Sequence, residues 1–212
     1  MTEMNEALAR KFAGREYRLF EASGLELRTD DDSGSMIVEG YATTFNQQYV
    51  LYSYDGYTVR EQIAPNAFDG CDMSDVIMQY DHKGHVFART SNHTLDIAID
   101  SVGLRIRADL SGTEIGRQLY SEIKGGYTTK MSFGFIADED TRDVKQDYQT
   151  GAVDVLRTVT KIRKLYDVSA VSRAANDTTG ISARSFSDGV IAEILEECRE
   201  SAKKRLALRL RL

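Results

Sequence analysis

The chain has 212 residues, of which 42% are hydrophobic and 28% charged, so it suits one globular domain with a substantial core. It has no apolar run long enough to span a membrane and no continuous apolar stretch typical of a secretory signal. The net charge of −6 argues against general nucleic-acid binding. Cys71 and Cys198 are too few and too far apart for a disulfide framework or a zinc site, which favours a reducing compartment.

The first part of the chain is dominated by predicted strands. Residues 1–34 are expected to form a polar arm and an edge strand. Met36–Phe45 has strand alternation with Gly40 as a bulge, and Tyr49–Tyr57 contains Asp55-Gly56, which predicts a hairpin turn. The same signals then predict a short helical turn and three strands, over Asn66–Asp69, Asp75–Tyr80, Leu95–Asp100 and Gly103–Leu110.

One helix is predicted in the middle of the chain. Ser111 and Glu114 have the spacing of a capping box, and Gly125-Gly126 provides the stop. The apolar residues expected on the buried face of this helix are Ile115, Leu119 and Ile123.

The strand predicted over Tyr127–Ile136 carries the first candidate for chemistry. Met131, Phe133 and Phe135 would share one face, so Ser132 would lie on the other, beside the empty position of Gly134. A hydroxyl next to a glycine leaves room for a substrate carbonyl. The alternative is an ordinary strand serine, with the glycine marking a bulge.

The last third is predicted to contain a polar loop, two strands and a helix, over Asp138–Gly151, Val153–Ile162, Leu165–Val171 and Asp188–Arg209. Many strands with few helices predict a β-rich α+β fold, mostly antiparallel, in a barrel or half-barrel. The three expected parts are the arm and edge strand of residues 1–34, a central domain of residues 35–185 and a basic amphipathic helix within residues 186–212.

A nucleophilic serine needs a base, and the chain has three histidines. His93 lies in a polar turn, and His85 follows Gly84 in a loop. His82 follows a strand of core character, where functional side chains are common. A structural role remains open for each of them.

Asp167 is a carboxylate in an otherwise apolar strand, where we expect Leu165, Asp167, Ser169 and Val171 to share one face. A charge in such a place needs a partner. A histidine would serve, and so would Arg163, Lys164 or Arg173.

Several stretches in order resemble the successive blocks of the tailed-phage prohead proteases: VEGYATTFN, EQIAPNAFDG, VIMQYDHKGHVFART, TLDIAIDSVGLRIRADL, EIGRQLYSEIKGGYTTKMSFGF and LYDVSAVSRAANDTTGISAR. The resemblance covers residues 35–185 and implies a fold similar to herpesvirus assemblin. It implies His82, Ser132 and Asp167 as a catalytic triad, with oxyanion donors in Ser172–Ala175. It implies no metal or organic cofactor.

The resemblance implies a maturation serine endopeptidase inside the immature capsid, in the bacterial cytoplasm. Its expected partner is the scaffolding portion of the major capsid protein, with self-cleavage and self-association as further expectations and no nucleic-acid or membrane partner. Two alternatives remain: an inactive capsid-assembly scaffold on the same fold, and an unrelated β-barrel binding module.

The end of the chain is basic, because Lys203, Lys204, Arg205, Arg209 and Arg211 follow the last acid, Glu200. We expect this cluster to attract an acidic scaffolding segment of the shell. A helix that merely docks on the protein body is the structural alternative.

Overall fold

The computed structural model describes residues 15–20, 26–30, 35–54, 56–147 and 149–171. The strands, in chain order, are β1 Glu16–Phe20, β2 Glu26–Asp30, β3 Ser35–Thr44, β4 Tyr49–Tyr54, β5 Tyr57–Ile63, β6 Ile77–Tyr80, β7 Lys83–Arg89, β8 Leu95–Ile99, β9 Gly103–Asp109, β10 Lys130–Gln146 and β11 Val153–Val171. Helix α1 spans Glu114–Lys124, and a 3₁₀ turn spans Thr90–Asn92. The predicted β-rich fold is confirmed for its strand content.

The described strands form two sheets. The first has the order β1-β10-β11-β5-β4, and the β6–β7 hairpin also joins it because β6 pairs with β11. The second has the order β2-β3-β9-β8. Most pairs are antiparallel as predicted, but β11 runs parallel to both β5 and β6. Within the described ranges neither sheet closes on itself, so the predicted barrel stays unconfirmed.

The core lies between the sheets and helix α1. Met131, Phe133 and Phe135 all lie in it, as the alternation of β10 predicted, and the two phenylalanine rings stack with centroids 4.7 Å apart. Burying each such ring contributes about 1.5–3 kcal/mol. Ser132, between Met131 and Phe133, therefore lies on a strand whose opposite face is packed in the core.

The last two described strands are much longer than predicted. Residues 138–146, expected in a loop, continue β10, and the two strands predicted within residues 153–171 are one strand. The polar end of β10 has no apolar face to bury. Its backbone pairs with β11, and its charges find partners across the pair, such as Asp140 with Arg157 and Glu139 with Lys161.

Three local predictions are wrong. The N-cap of α1 is Thr113 rather than Ser111, because the Thr113 side chain accepts the hydrogen bond from the Gly116 amide. Residues 66–69 form hydrogen-bonded turns and not a helical turn. Gly40 pairs regularly with Ile106, and the register of β3 shifts between Tyr41 and Thr43 instead.

A bulge in β11 corrects the predicted face of Asp167. Gly134 pairs with Asp167 and the next residue of β10, Phe135, pairs with Leu165, so Tyr166 is the extra residue. The extra residue reverses the alternation. Leu165 therefore packs in the core, whereas Asp167 lies on the opposite face.

Several predictions lie outside the described residues: the arm of residues 1–14, the loop Ser172–Ala175, the C-terminal helix and the domain boundaries at 34 and 185. No helix in the described part of the chain is long and apolar enough to cross a membrane.

Candidate active site

Ser132 lies near the start of β10, on the face opposite the core. Its neighbours across the sheet are Ser169 on β11 and Leu19 on β1, so it has a strand on each side. The residue is only 2% exposed. The β-sheet therefore fixes the direction of its hydroxyl group.

His82 lies in the tight turn between β6 and β7. Tyr80 pairs with Lys83, which makes Asp81 and His82 the two central residues, and their φ angles are 46° and 56°. Two positive φ angles are typical of a type I′ turn, which favours glycine, asparagine or aspartate. A histidine in this conformation is strained, and such strain is common at functional sites. The turn is held on β11 by a 3.0 Å hydrogen bond from the Asp81 amide to the Ala170 carbonyl.

The His82 ring bridges the other two predicted residues. Its Nε2 atom is 2.6 Å from Ser132 Oγ, and its Nδ1 atom is 2.5 Å from Asp167 Oδ1. The fold thus brings together the serine, histidine and aspartate that the sequence singled out. This is the arrangement in which a carboxylate orients an imidazole that can take a proton from a hydroxyl.

Asp167 is fully buried, and both oxygens of its carboxylate have polar partners. The Ser169 hydroxyl donates to Oδ1 at 2.8 Å, and the Arg15 guanidinium donates to Oδ2. Buried charge is costly unless it is paired and hydrogen-bonded, and here both oxygens are occupied. Of the cations that the sequence offered as partners, Lys164 instead pairs with Asp72.

Gly134 makes room for this carboxylate and not for a substrate. A Cβ atom at this position would lie 2.4 Å from Asp167 Oδ2 and 2.9 Å from a ring carbon of Tyr17. The predicted open space beside Ser132 is therefore wrong, because it is filled by the Asp167 carboxylate, by Tyr17 of β1 and by Arg15, which directly precedes β1.

The N-terminal segment covers the site. The Tyr17 ring meets the His82 ring edge-on, with centroids 4.4 Å apart, and the Ser132 hydroxyl donates to the Arg18 carbonyl at 2.8 Å. Burial raises the pKa of the Tyr17 phenol. Arg15 lies over the rings of Tyr17 and Tyr166, at 5.0 and 4.3 Å from their centroids.

The other two histidines stay apart from the site. His85 is exposed on β7, in a surface cleft of about 260 Å³ with Phe87 and helix α1, and His93 is exposed after the 3₁₀ turn. In the part of the chain that the structure describes, no group of His, Cys, Asp and Glu side chains is placed to hold a metal ion.

Sequence reasoning missed Arg15, Tyr17 and the β1 carbonyl. Ser169 could have been found, because it is two residues from Asp167 on the same strand face. Nothing in the sequence predicts that β1 pairs with β10, because the two strands are more than a hundred residues apart.

A model of the caudovirus prohead serine protease family matches residues 23–190. The chain belongs to this family. The predicted resemblance is confirmed, and the match includes His82, Ser132 and Asp167 but begins after β1. No curated protein matches the chain. Among solved structures, the capsid assembly protease of bacteriophage T4 is similar at 11% sequence identity and a TM-score of 0.42, over 76% of this chain and 99% of that one.

As a prohead protease relative, the chain belongs to the serine proteases of phage capsid maturation.

Proposed function

We propose that this protein is a serine endopeptidase of capsid maturation, with Ser132 as nucleophile, His82 as general base and Asp167 as the residue that orients the base. One observation carries the proposal. A single imidazole ring lies within hydrogen-bond distance of the serine hydroxyl on one side and of a buried carboxylate on the other.

The proposed reaction follows from this geometry. With Nδ1 of His82 protonated and donating to Asp167, Nε2 accepts the proton of Ser132 as the Oγ atom attacks a peptide carbonyl carbon. The histidine then passes that proton to the leaving amine, and the acyl-enzyme forms. The same histidine then deprotonates water, which attacks the acyl carbon; the bond to Ser132 Oγ breaks, Oγ regains its proton from the histidine, and the new carboxylate is released. The Asp167 charge stabilises the imidazolium in both steps.

The substrate we propose is the scaffolding portion of the major capsid protein within the immature shell, and the same proposal includes self-cleavage. Family membership supports the capsid setting, because the family consists of prohead proteases. The proposed location is the assembling shell in the host bacterium. The mechanism uses only side chains of this chain.

The test is Ser132→Ala in the full chain, mixed with assembling shells or a capsid-protein substrate. Cleavage should fall at least about 1,000-fold, since removing the nucleophile leaves only binding and oxyanion stabilisation. The fold should survive, with a loss of about 1 kcal/mol for the missing hydrogen bond. Cleavage is followed by gel electrophoresis and stability by urea unfolding.

The matched control is Ser53→Ala. Ser53 is an exposed strand serine whose hydroxyl lies 3.1 Å from that of Thr58, and its loss should leave cleavage unchanged. Wild-type cleavage by Ser132→Ala would reject the catalytic assignment. A wild-type chain that never cleaves yet is needed for shells to form would instead support the inactive scaffold on the same fold.

A further inference from the structure

One short segment, Arg15–Phe20, contacts all three residues of the proposed triad. Arg15 pairs with Asp167, the Tyr17 ring packs against His82, and the Arg18 carbonyl accepts the Ser132 hydroxyl. The backbone of the segment pairs with β10 in register, with Leu19 opposite Ser132. A protease commonly binds its substrate in this way, as an extended strand added to the edge of a sheet.

The contact with Ser132 opposes catalysis directly. A hydroxyl has one proton, so Ser132 cannot donate to the Arg18 carbonyl and to His82 at once. The Arg15 guanidinium binds the second oxygen of Asp167, so the carboxylate that would orient His82 also holds the segment in place. With Ser132 only 2% exposed, a substrate carbonyl has no path to it.

β1 also lies outside the part of the chain that matches the family, which begins at residue 23. The polar groups of the segment are not all satisfied in this position, because Arg15 Nε is buried without a hydrogen-bond partner among the described residues. These two facts distinguish β1 from β11, the other neighbour of β10, which carries Asp167.

The opposite face of β1 shows which kind of side chain a strand that replaces β1 must supply. The Arg18 side chain, 3% exposed, reaches the fully buried Glu61 on β5, with Nη2 and Oε2 2.9 Å apart. Arg157 also binds Glu61, at 2.6 Å. A strand that displaced β1 without a cation at this position would leave Glu61 with one guanidinium instead of two.

We propose that β1 occupies the peptide-binding edge of β10, and that the substrate which replaces it is an extended peptide with a basic side chain where Arg18 stands. The proposal rests on the serine protease function proposed above. It makes β1 an internal ligand that keeps the site closed, and it makes Glu61 the residue that selects the basic side chain.

The first experiment locks β1 in place. Phe20 and Met131 are partners across the β1–β10 pair, so Phe20→Cys with Met131→Cys, in a chain with Cys71→Ser and Cys198→Ser, can form a disulfide. The labelling rate of Ser132 by a fluorophosphonate, followed by mass spectrometry, should be at least tenfold lower in the oxidised than in the reduced protein.

The control lock joins β4 to β5 through Ser53→Cys and Thr58→Cys, whose hydroxyl oxygens lie 3.1 Å apart in the native chain. Oxidation of this variant should leave the labelling rate unchanged. Equal labelling of the oxidised and reduced β1 lock, with Ser132-dependent cleavage intact, would overturn the proposal but not the function. A reduced protein that neither labels nor cleaves would reject the serine protease function and this proposal with it.

A single substitution provides a second measurement if the double variant does not fold. Arg15→Ala should raise the labelling rate of Ser132 about tenfold, because it removes the contact between the segment and Asp167. Arg60→Ala removes an arginine of similar exposure, 31% against 26% for Arg15, which pairs with Asp154 elsewhere on the sheet, and it should leave the rate unchanged. A slower rate in Arg15→Ala alone would mean that Arg15 positions the acid, and the closed-site proposal would fail.

The substrate class is tested with two synthetic peptides of the sequence of residues 15–20, one native and one with glutamine in place of the arginine corresponding to Arg18. Each peptide is added to the reduced β1 lock, and its protection of Ser132 from the fluorophosphonate is measured. The native peptide should protect at a concentration at least tenfold lower. Equal protection by both would overturn the requirement for a basic side chain.

Discussion

At the scale of single residues, the position of Asp167 depends on the absence of a side chain at Gly134, its partner across the β10–β11 pair. The carboxylate lies over Gly134, where even a methyl group would come within 2.4 Å of Oδ2. Real Cβ atoms do not approach an oxygen so closely, so any larger residue would push the acid away from His82. The glycine is therefore as much a part of the site geometry as the residues that carry charge.

Gly134→Ala should reduce cleavage at least about 100-fold, since a displacement of about 1 Å in a catalytic group can have that effect. The control is Gly112→Ala, where an added Cβ meets nothing within 4 Å. Both variants are assayed for cleavage and for urea unfolding. Wild-type cleavage by Gly134→Ala would mean that Asp167 is free to shift without cost and does not orient the base.

The histidines provide a second comparison between residues. His82→Ala should reduce cleavage about as much as Ser132→Ala, because nucleophile and base act as a unit. His85→Ala is the matched control, since it is three residues away on the same hairpin but exposed. Cleavage by both variants is measured on the same substrate. Loss of activity in His85→Ala with full activity in His82→Ala would contradict the assignment.

At the scale of elements, β1 is attached to the body by a buried cluster of charges. Glu61 on β5 binds Arg18 on β1 and Arg157 on β11, and Glu16 on β1 binds Arg157 as well. Burial alone would raise the pKa of Glu61, but Arg18 and Arg157 outweigh it and lower the pKa from 4.5 to about 2. The cluster therefore links three strands through one ionised carboxylate.

This shift makes the stability of the fold depend on pH. The lowered pKa of Glu61 stabilises the folded state at pH values above the pKa of the same group in the unfolded chain. This stabilisation, in total about 3 kcal/mol, is lost as the pH falls toward 2. The difference in unfolding free energy between wild type and Glu61→Gln should accordingly shrink by about that amount between pH 6 and pH 2, measured by urea unfolding.

Glu139→Gln is the control for this prediction, because the Glu139 side chain is 64% exposed and pairs with Lys161 at the surface. Exposed pairs contribute only about 0–1 kcal/mol, so its difference from wild type should stay small at every pH. A Glu61→Gln difference that is the same at pH 6 and pH 2 would show that Glu61 is not ionised in the fold.

The same elements explain what the sequence could and could not predict. The alternation around Ser132 predicted the core face of β10, because buried phenylalanines at every second position leave a clear signal. The polar end of β10 left no such signal in the sequence, because it is stabilised by backbone pairing and cross-strand charges rather than by a core. The bulge at Tyr166 and the β1–β10 pair were equally invisible, because each depends on a partner strand remote in the chain.

For the candidate site, sequence identified the three residues only with the help of the family resemblance. His82 was predicted only as a residue that follows a strand; its place in a two-residue turn and its positive φ come from the β6–β7 pairing. The covering of the site by Arg15 and Tyr17 could not be predicted, since neither residue belongs to a motif.

At the scale of the whole molecule, the basic end of the chain can be separated from the chemistry. The family match ends at residue 190, before the cluster Lys203–Arg211. A chain that ends at residue 190 should cleave a soluble substrate at the wild-type rate but enter assembling shells in smaller numbers. Copies per shell are measured by quantitative mass spectrometry, and raised salt should weaken uptake of the full chain.

The control replaces the five bases of this cluster with glutamine in a full-length chain, which keeps the length but removes the charge. Its uptake should fall as much as that of the shortened chain. Normal uptake of both variants would mean that the C-terminal segment has no part in recruitment.

The position of β11 in the chain has a consequence for the living cell. The strand supplies Asp167, pairs with β10 beside Ser132 and supports the turn of His82, yet it is the last strand in the described chain. Ribosomes add residues from the N-terminus at about 5–20 per second, so the serine and histidine exist for seconds before the strand that joins them. If the proposed triad is correct, a chain that ends before β11 lacks Asp167 and the strand that supports the His82 turn, and it should therefore not cleave.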